Sequence, residues 1–390
     1  MNANPLVERT APPLSRHAEM VLDAGTEPAL EVSVVMPCLN EARTIVTCVE
    51  KAHAALRGSG LTYEIVIGDN GSTDGSQELA RAHGARVIDV PRRGYGEAYR
   101  GAIAAARGQV LVMGDSDDSY DFLSVRSFIE KVKEGYDLVM GSRFKGKIEP
   151  GAMPLHHRYF GNPVLTGILN LFFQAGISDA HCGMRAFTRA AYERMRLKTG
   201  GMEFASEMVM RAAQEGLRIA EIPIDLHKDG RDRPPHLRSF RDGWRHLRFM
   251  LMYSPSWLFM VPGVLLAVPG SLLVLLLPFA HLSLFRIPLS FHFSILGSLM
   301  TILGTTVIQL AVFAKVVLVG KGIGESPLGR WVLRSFPLEA FLLSGLALAA
   351  FGAAVDVGIL SRWIHSGFGT LPPHVTSLAM LASTAITIGG

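Results

Sequence analysis

Charge is scarce in the last third of this 390-residue chain. Residues 256–390 carry nine Asp, Glu, Lys and Arg, whereas residues 1–255 carry 63. This absence excludes a protein that is water-soluble along its whole length. Because a membrane-spanning helix needs about 20 apolar residues, we predict a transmembrane region with about four helices, at 256–280, 293–314, 338–360 and 374–390. The last segment is short and the chain stops within it, as in a truncated protein.

Cysteine and net charge are scarce as well. Cys38, Cys48 and Cys182 are the only cysteines, and their spacing fits neither a metal site nor a disulfide framework. Residues 1–30 lack the apolar segment of a signal peptide, so we expect a flexible tail there. Residues 1–255 hold 32 basic and 31 acidic side chains. This balance argues against nucleic acid as a partner.

Loop charges predict the orientation in the membrane. The loop at 315–337 contains four Lys or Arg and one Glu, and such basic loops stay on the cytoplasmic side. We therefore expect a multi-pass protein of the cell (inner) membrane whose soluble domain faces the cytoplasm. A cytoplasmic location also predicts reduced thiols.

Short apolar runs alternate with helical patterns from residue 31 onward. The predicted strands cover 31–37, 63–69, 85–90, 109–115 and 137–143. This alternation is typical of an α/β fold with a mostly parallel sheet and helices on both faces. We assign the domain to residues 31–230. Because ligands bind at the carboxyl ends of such strands, the polar motifs that follow the strands are the candidate site.

Three of these motifs contain turn residues: PCLNEA after the first strand, GDNGSTDGS after the second and RRGYGEAYRG after the third. Asp69 ends the second strand, and its carboxylate can accept from base or ribose donors. Gly94 and Gly96 do not complete a G-x-G-x-x-G loop, which excludes a dinucleotide-dependent dehydrogenase. We expect these two glycines to let a ligand approach the backbone closely.

The fourth strand ends in GDSDDSYD, which crowds Asp115, Asp117, Asp118 and Asp121 into seven positions. Clustered carboxylates repel each other unless a cation neutralises them. Oxygen ligands suit Mg²⁺ or Mn²⁺, and Mg²⁺ typically joins one or two carboxylates to substrate phosphates. We therefore predict that Asp115 and Asp117 hold a metal and a diphosphate. The alternative is an acidic turn that caps the helix starting at Asp121.

The motifs PCLNEA, GDNGSTDGS, RRGYGEA, GDSDD and GSRF, in this order, resemble glycosyltransferase family 2 and its inverting GT-A fold. Membrane helices directly after the domain make the chain most similar to polyprenyl-phosphate (dolichol-phosphate) sugar synthases. The resemblance implies nucleotide-sugar contacts at Pro37, Asn40, Glu41, Asp69, Gly94, Gly96 and Asp115. It implies metal ligation by Asp115 and Asp117, phosphate binding by Arg143, and a sugar or acceptor region at Asp179, Gly183, Arg185, Glu203 and Glu207.

The chain departs from the family pattern at two positions. Ser119 stands where a Gln often completes the metal site, which leaves the third metal ligand open. Asn70 stands where the nucleotide motif usually has a second Asp.

Basic segments flank the membrane region. Residues 231–255 form a basic juxtamembrane segment in which Arg241, Arg245 and Arg248 share one helical face. We interpret that face as a collar attracted to anionic headgroups, or else as a plain positive-inside charge run. Residues 155–175 predict either an interfacial helix or a core helix of the domain. We expect the acceptor phosphate to meet Arg143, Arg158, Arg185, Arg231, Arg233 and Arg238.

Together these features predict an inverting transfer of a sugar from a UDP- or GDP-linked donor to a polyprenyl phosphate, with Asp117, Arg143, Arg185 and Glu203 as catalytic residues. A processive polysaccharide synthase is one alternative, although no Q-x-x-R-W motif precedes the membrane. A non-catalytic sensor of nucleotide sugars is another. Transfer to a lipid alcohol is a third and would need a base, with Glu203 or Asp118 as candidates. The sequence leaves room for a homo-oligomer.

Overall fold

The computed structural model describes residues 30–230, 239–279, 283–284, 287–289, 291–320, 331 and 338–390. The predicted alternation of strands and helices in the first half is confirmed. Its elements are β1 Val32–Cys38, α1 Ile45–Leu56, β2 Tyr63–Asp69, α2 Ser76–Ala82, β3 Arg86–Asp89, α3 Tyr95–Ala105, β4 Val110–Met113, α4 Val125–Lys133 and β5 Leu138–Ser142.

The second part of the domain adds α5 Asn162–Phe173, β6 Arg185–Thr188, α6 Arg189–Met195, α7 Phe204–Gln214 and β7 Ile219–Pro223. Seven strands form one sheet in the order β3-β2-β1-β4-β6-β5-β7. β6 runs antiparallel to both β4 and β5, and the other pairs are parallel. The mostly parallel α/β sheet is thus confirmed, and the antiparallel strand is a feature that the sequence did not reveal.

The central strands β1 and β4 are mostly apolar because both faces of the sheet are covered. Val34 and Val112 point to one buried cluster, whereas Val35 and Leu111 point to the other. Since β1 and β4 are parallel neighbours, their carboxyl ends lie side by side. The loops after these two strands therefore meet at one edge of the sheet.

The segment before the sixth strand has two different faces. A single π-helical turn, His157–Gly161, leads into α5. Thr166 and Leu169 are buried against the domain, as a core helix requires, whereas Tyr159 and Phe160 are 71% and 70% exposed. Such exposure of large aromatic residues is what an interfacial helix requires. Both interpretations of residues 155–175 therefore describe part of the segment.

The membrane region begins after the juxtamembrane helix α8 Ser239–Met252 and contains α9 Val261–Leu276, α10 Phe291–Gly320, α11 Leu338–His365 and α12 Pro373–Gly389. A two-residue pairing, β8 Ser283–Leu284 with β9 Ile287–Pro288, lies between α9 and α10. Three helical segments among the described residues are long and apolar enough to cross a membrane, namely Ser256–Leu276, Phe291–Leu318 and Glu339–His365. The fourth predicted segment corresponds to α12, which has 17 residues.

Small residues allow the membrane helices to pack closely. A Cβ atom at Gly304 of α10 would lie 2.3 Å from the Ala267 nitrogen of α9, and one at Gly352 of α11 would lie 2.5 Å from the Ala382 oxygen of α12. α12 also contacts α10, where the Ser294 hydroxyl donates to Ser377 at 2.9 Å. Close backbone approach is a common way for helices to associate in lipid.

The predicted tail and the predicted acceptor arginines Arg231, Arg233 and Arg238 lie outside the described residues.

Candidate active site

Two cavities open at the carboxyl edge of the sheet and share part of their walls. The strand-end cavity, of about 370 Å³, is bordered by the loops after β1, β2 and β4. The helix-bounded cavity, of about 560 Å³, is bordered by α5 and α8. Residues that line both cavities are Tyr95, Asp115, Asp117, Met202 and Asp242. The carboxylates predicted as metal ligands therefore stand where the two cavities meet.

The strand-end cavity gathers most of the residues that were predicted to contact a nucleotide. Pro37 and Glu41 come from the loop after β1, Gly94 from the loop before α3, and Asp115 and Asp117 from the loop after β4. They meet because β4 lies directly beside β1 in the sheet. A cavity at this edge is the usual ligand position in a parallel α/β sheet.

Asp69 and Asn40 are not among the lining residues and instead organise the loop behind the cavity. Asp69 is fully buried, and its Oδ2 accepts from the Gly71 nitrogen at 2.8 Å and the Ser72 nitrogen at 2.9 Å. Asn40 has a left-handed φ of 58°, and its Oδ1 accepts from the Thr73 nitrogen at 2.8 Å. Asp69 Oδ1 has no hydrogen-bond partner among the described residues. A nucleotide contact at Asp69 stays a prediction.

Asn70, which departs from the family pattern, has a structural use that an Asp could not fulfil. Its amide nitrogen donates to the Arg92 oxygen at 2.9 Å and to the Val90 oxygen at 3.1 Å. Its amide oxygen accepts from the Gly94 nitrogen at 2.8 Å. A carboxylate can only accept at neutral pH, so the amide ties the end of β2 to the loop before α3.

The two glycines of that loop, Gly94 and Gly96, allow the chain's own backbone at 199–200 to approach closely, whereas we predicted the close approach of a ligand. Gly94 has φ +146°, and a Cβ atom there would lie 2.2 Å from the Gly200 oxygen. At Gly96 a Cβ atom would lie 2.6 Å from the Thr199 oxygen. Gly96 is buried under the 199–200 backbone and lines neither cavity, and the approach of a ligand at Gly96 stays a prediction. Gly94 both carries that contact and lines the strand-end cavity.

The acidic motif after β4 divides into two pairs. Asp115 and Asp117 line both cavities. Asp118, at φ 60°, forms an ion pair with Lys51 at 2.7 Å. Asp121 accepts from the Leu123 nitrogen and caps the single 3₁₀ turn Phe122–Ser124. The capping alternative thus applies to Asp121 and leaves the two cavity carboxylates for chemistry.

Neighbouring hydroxyl groups orient the two cavity carboxylates. Tyr99 donates to Asp115 Oδ1 at 3.1 Å, and Ser119 donates to Asp117 Oδ1 at 2.6 Å. Burial, aided by the nearby Asp115 carboxylate, raises the pKa of Tyr99 well above its ordinary value, so this phenol keeps its proton. Ser119, which stands where the family often has a Gln, therefore braces Asp117.

The donor set of this junction fits a divalent metal that also binds a substrate. Among the residues that the structure describes, no cluster of three or more His, Cys, Asp or Glu could hold a metal alone. Two carboxylates fixed at the junction of two cavities are what Mg²⁺ or Mn²⁺ needs when substrate phosphates supply further oxygens. Asp115 and Asp117 fit that arrangement.

Arg143 lies in the wall of the helix-bounded cavity and is held rigidly. Its Nε and Nη2 donate to the two carboxylate oxygens of Asp179, each at 2.7 Å. Asp179 is fully buried, so this bidentate pair fixes the plane of the guanidinium. A fixed guanidinium in a cavity wall is suited to binding phosphate.

Arg185 does not reach either cavity. It is fully buried, and its three nitrogens donate to the backbone oxygens of Cys182 at 2.9 Å, Ala205 at 2.6 Å and Ala180 at 2.9 Å. Arg185 lines neither cavity, and these bonds hold the backbone of the loops that form the site. The acceptor and catalytic roles implied for Arg185 stay predictions.

Arg158 and the acidic pair at Glu203 and Glu207 also lie outside the residues that line the cavities. The Arg158 guanidinium lies 5.5 Å from the ring centre of Tyr159. Glu203 precedes α7, and its Oε2 lies 3.7 Å from Arg245 Nε. Glu207 is fully buried and accepts from the Thr199 nitrogen at 2.8 Å. None of these three predicted site residues lines a cavity, and the catalytic role of Glu203 stays a prediction.

Sequence reasoning missed the contribution of α8. Arg241, Asp242 and Arg245 line the strand-end cavity, whereas Phe240, Trp244 and Leu247 line the helix-bounded cavity. The shared arginine face was visible in the sequence, but its proximity to the membrane favoured a headgroup contact. Only the fold shows that α8 lies across both cavities.

Two histidines lie at the inner end of the helix-bounded cavity. The rings of His181 and His246 meet edge to face, with centres 4.9 Å apart. Burial lowers the pKa of His246 to about 4 and lowers that of His181 well below its ordinary value. Both rings are therefore neutral at neutral pH. His246 is fixed by a 2.7 Å hydrogen bond between its Nδ1 and the Ser206 hydroxyl.

Comparison with known proteins identifies the family of the chain. Residues 33–196 match the family described as Glycosyl transferase family 2, and residues 312–390 match the Glycosyltransferase family 2 C-terminal transmembrane region. The chain is 40% identical, over 95% of its length and 89% of the relative, to the low-salt glycan biosynthesis hexosyltransferase Agl6 of Haloferax volcanii. It is 32% identical to a dolichyl-phosphate hexose transferase of the same organism, over 50% of this chain and 82% of that protein.

Among solved structures, one that matches part of this chain is glucosyl-3-phosphoglycerate synthase from Mycobacterium tuberculosis, in complex with Mn²⁺, UDP and glucosyl-3-phosphoglycerate. It is 25% identical and covers 57% of this chain and 79% of its own, with a TM-score of 0.46.

Proposed function

Because the chain belongs to glycosyltransferase family 2 and is a hexosyltransferase with membrane helices, we propose that it transfers a hexose from a nucleoside diphosphate sugar to a polyprenyl phosphate. The observation that carries the proposal is the meeting of two unlike cavities at Asp115 and Asp117. One cavity is bordered by the nucleotide motifs. The other has an apolar mouth and a buried arginine. A donor and a lipid acceptor are the two ligands that such a pair would bring together.

The donor end is the strand-end cavity. Pro37, Glu41 and Gly94 border it at the ends of β1 and α3. We assign the nucleotide to this part, with its diphosphate directed toward Asp115 and Asp117. The linked sugar then lies at the junction with the second cavity, near Tyr95 and Met202, which border both.

Asp115 and Asp117 would hold Mg²⁺ or Mn²⁺ together with the diphosphate. A bound divalent ion supplies Lewis-acid stabilisation of the negative charge that develops on the departing nucleoside diphosphate. The protein prepares for this by fixing both carboxylates through Tyr99 and Ser119.

The acceptor end is the helix-bounded cavity. Phe160, Val164, Phe240, Trp244 and Leu247 make its mouth apolar, and α8 leads through a π-helical turn into the first membrane helix. A polyprenyl chain can therefore remain in an apolar environment while its phosphate reaches inward. Arg143, fixed by Asp179, is positioned in the wall to bind that phosphate.

The chemistry needs orientation more than it needs a base. A lipid phosphate is already an anion at neutral pH, so its oxygen can attack the anomeric carbon while the bond from that carbon to the diphosphate oxygen breaks. One such displacement inverts the anomeric configuration. Arg143 orients the nucleophile, and positioning of this kind contributes a large part of the rate.

The arrangement favours a phosphate acceptor over a lipid alcohol. An alcohol would need a general base, and Glu203 and Asp118 were the candidates. Neither lines a cavity. Each is beside a cation, Arg245 for Glu203 and Lys51 for Asp118.

We also propose that the reaction takes place at the cytoplasmic face of the cell membrane. The basic loop at 315–337 and the basic segment before the first span support this orientation. Nucleoside diphosphate sugars and reduced thiols are both consistent with a cytoplasmic location.

The test is a product assay with the full-length protein in membranes. Membranes are incubated with polyprenyl phosphate, Mg²⁺ or Mn²⁺, and a panel of UDP- and GDP-linked hexoses, and the lipids are analysed by mass spectrometry. We expect a lipid-phosphate-hexose that forms only when the metal is present, and its mass together with the required donor names the substrate. A polymer, a glycosylated lipid alcohol, or no lipid product with any donor would refute the proposal.

A further inference from the structure

We propose that the juxtamembrane helix α8 completes the donor site, with Arg241 and Arg245 binding the diphosphate of the nucleotide sugar. This inference rests on the proposed function, and it assigns these two residues to the donor instead of to membrane headgroups. It makes the affinity for the nucleotide depend on a helix that stands next to the first membrane span.

Both arginines lie at the strand-end cavity. Arg241 and Arg245 are four residues apart, which puts them on one face of α8, and both line the strand-end cavity. They share that cavity with Pro37, Asp115 and Asp117. Arg248, one turn further along the same helix, is exposed and lines neither cavity.

The protein holds both guanidiniums only by long ion pairs. Arg241 Nε lies 3.9 Å from Asp242 Oδ1, and Arg245 lies 3.7 Å from Glu203 Oε2 and 3.9 Å from Asp242 Oδ1. These separations are longer than hydrogen bonds. Within the described part of the chain, neither guanidinium donates a hydrogen bond, in contrast to Arg143, which donates to both oxygens of Asp179.

Loose ion pairs of this kind keep the arginines near the cavity without using their donors. Side-chain exposure is 60% for Arg241 and 41% for Arg245, so both can adjust to a ligand. A guanidinium presents a planar fork that matches two phosphate oxygens at once. A diphosphate in the strand-end cavity offers such oxygens.

The two arginines also offset negative charge around the strand-end cavity. Among the described residues, the cavity is bordered by four carboxylates, Glu41, Asp115, Asp117 and Asp242, and by three arginines, Arg93, Arg241 and Arg245. A diphosphate with two negative charges and one divalent ion add no net charge. Like charges in a cavity repel, so cations at Arg241 and Arg245 favour the binding of a diphosphate there.

The membrane-collar interpretation of the same residues makes a different prediction. Headgroup attraction acts on any basic residue near the surface, at about 1 kcal/mol for each Lys or Arg. Arg241, Arg245 and Arg248 would then contribute equally to membrane binding, and their substitutions would have equal effects. Binding of a diphosphate in the cavity requires Arg241 and Arg245 and leaves Arg248 without a role in nucleotide affinity.

The experiment measures binding of UDP and of GDP, each with Mg²⁺, to the full-length protein in lipid nanodiscs by titration calorimetry. The variants are R241A, R245A, the double variant, R245K, and R248A as the matched control from the same helix. We expect about tenfold weaker nucleotide binding for each single alanine variant and about a hundredfold for the double variant, since a charged hydrogen bond is worth roughly that much. R248A should stay within twofold of the wild type.

The variant R245K distinguishes the contribution of the planar guanidinium from that of the positive charge. It retains the positive charge and should fold like the wild type, but a point charge cannot bind two oxygens in one plane, so we expect several-fold weaker binding. Equal effects of R241A, R245A and R248A would overturn the inference in favour of the collar. Unchanged binding in R241A and R245A, with glycolipid still formed, would overturn it and leave the proposed function intact. A wild-type protein that binds neither nucleotide would overturn both.

Discussion

The cavity walls and the layer directly behind them are both rich in charged side chains, but they use charge differently. In the walls, Asp115, Asp117 and Arg143 present their charge to a cavity. Behind the walls, Asp69, Arg185 and Glu207 are fully buried, and their partners are mainly backbone groups of the loops that form the site. Membership of a family motif therefore does not tell whether a residue performs chemistry or holds the loop that does.

The difference predicts two kinds of failure. Removal of a wall residue should abolish chemistry in a folded protein, whereas removal of a residue behind the wall should destabilise the fold first. Measurements that report folding and transfer separately distinguish the two kinds of residue.

The largest effect is expected for Arg185→Met. Three buried carbonyl oxygens would lose their donor, and loss of buried charged hydrogen bonds costs roughly 3–5 kcal/mol of unfolding free energy. We expect a strongly lowered Tm of the purified protein in detergent, measured by intrinsic fluorescence. Arg158→Met, which removes an arginine outside the core, should leave the Tm nearly unchanged. If Arg185→Met keeps its Tm but loses sugar transfer, Arg185 takes part in the reaction.

Asp117→Asn should give the next largest effect, this time on the rate. The substitution weakens the hold on a divalent ion whose Lewis acidity contributes several kcal/mol, so we expect at least about a hundredfold loss of transfer. The Tm and membrane association should stay close to those of the wild type. Normal transfer in this variant would disprove the metal assignment.

Asp118→Asn is the matched control for Asp117→Asn, because the two residues are adjacent and identical in type. Asp118 pairs with Lys51 at a partly exposed position, where ion pairs contribute about 0–1 kcal/mol. Asn also tolerates the left-handed backbone found there. Transfer should therefore remain within a few-fold of the wild type, and a loss as large as that of Asp117→Asn would make Asp118 part of the site.

Protonation of His246 at low pH should destabilise the packing of α8. Its ordinary pKa is 6.5, and burial lowers the pKa to about 4 in the folded state. The unfolded chain thus binds more protons between these values, and stability falls as the pH decreases from 6.5 toward 4. The loss from this group is about 2 kcal/mol at pH 5. Tm measured at pH 7.5 and pH 5 should drop less in His246→Gln than in the wild type, and equal drops would contradict the assignment.

The smallest effect concerns the thiols, which should be inert although Cys38 borders a cavity. Burial raises the pKa of Cys38 to about 11 and that of Cys182 to about 12, and it raises the pKa of Cys48 further. At pH 8 only about one Cys38 in a thousand is a thiolate. A disulfide reagent should react slowly with the native protein and rapidly with three thiols after denaturation. One fast native thiol would show that the strand-end cavity opens more widely.

Much of the fold was predictable because its strongest signals are local. The strands of the first half are short, largely apolar segments that alternate with helices, and their predicted ends lie within two residues of the observed ones. Their order along the chain brings the motif loops to one edge. β6 and β7 escaped notice because β6 runs antiparallel to β4 and β5 and because two helices, α6 and α7, separate it from β7, so the alternation of one strand with one helix does not extend to them.

The direction of side chains was much less predictable. Arg143 and Arg185 are the same residue type in adjacent motifs, yet one lies in a cavity wall and the other donates to three carbonyls. Those carbonyls come from Ala180, Cys182 and Ala205, and only the folded chain brings Ala205 to that place. The same holds for Arg241 and Arg245, whose distance from the nucleotide motifs in sequence is more than 120 residues. Contacts of this range leave no local pattern.

The position of α12 has a consequence for how the protein is made. α12 packs against both α10 and α11, and Gly352 of α11 depends on it for close contact. α11 precedes α12 in the chain, so it enters the bilayer before its main packing surface exists. Until synthesis reaches α12, α11 is inserted but has little to pack against. The packing of α11 is therefore completed only after α12 has been made, and α12 determines whether the helix before it is retained.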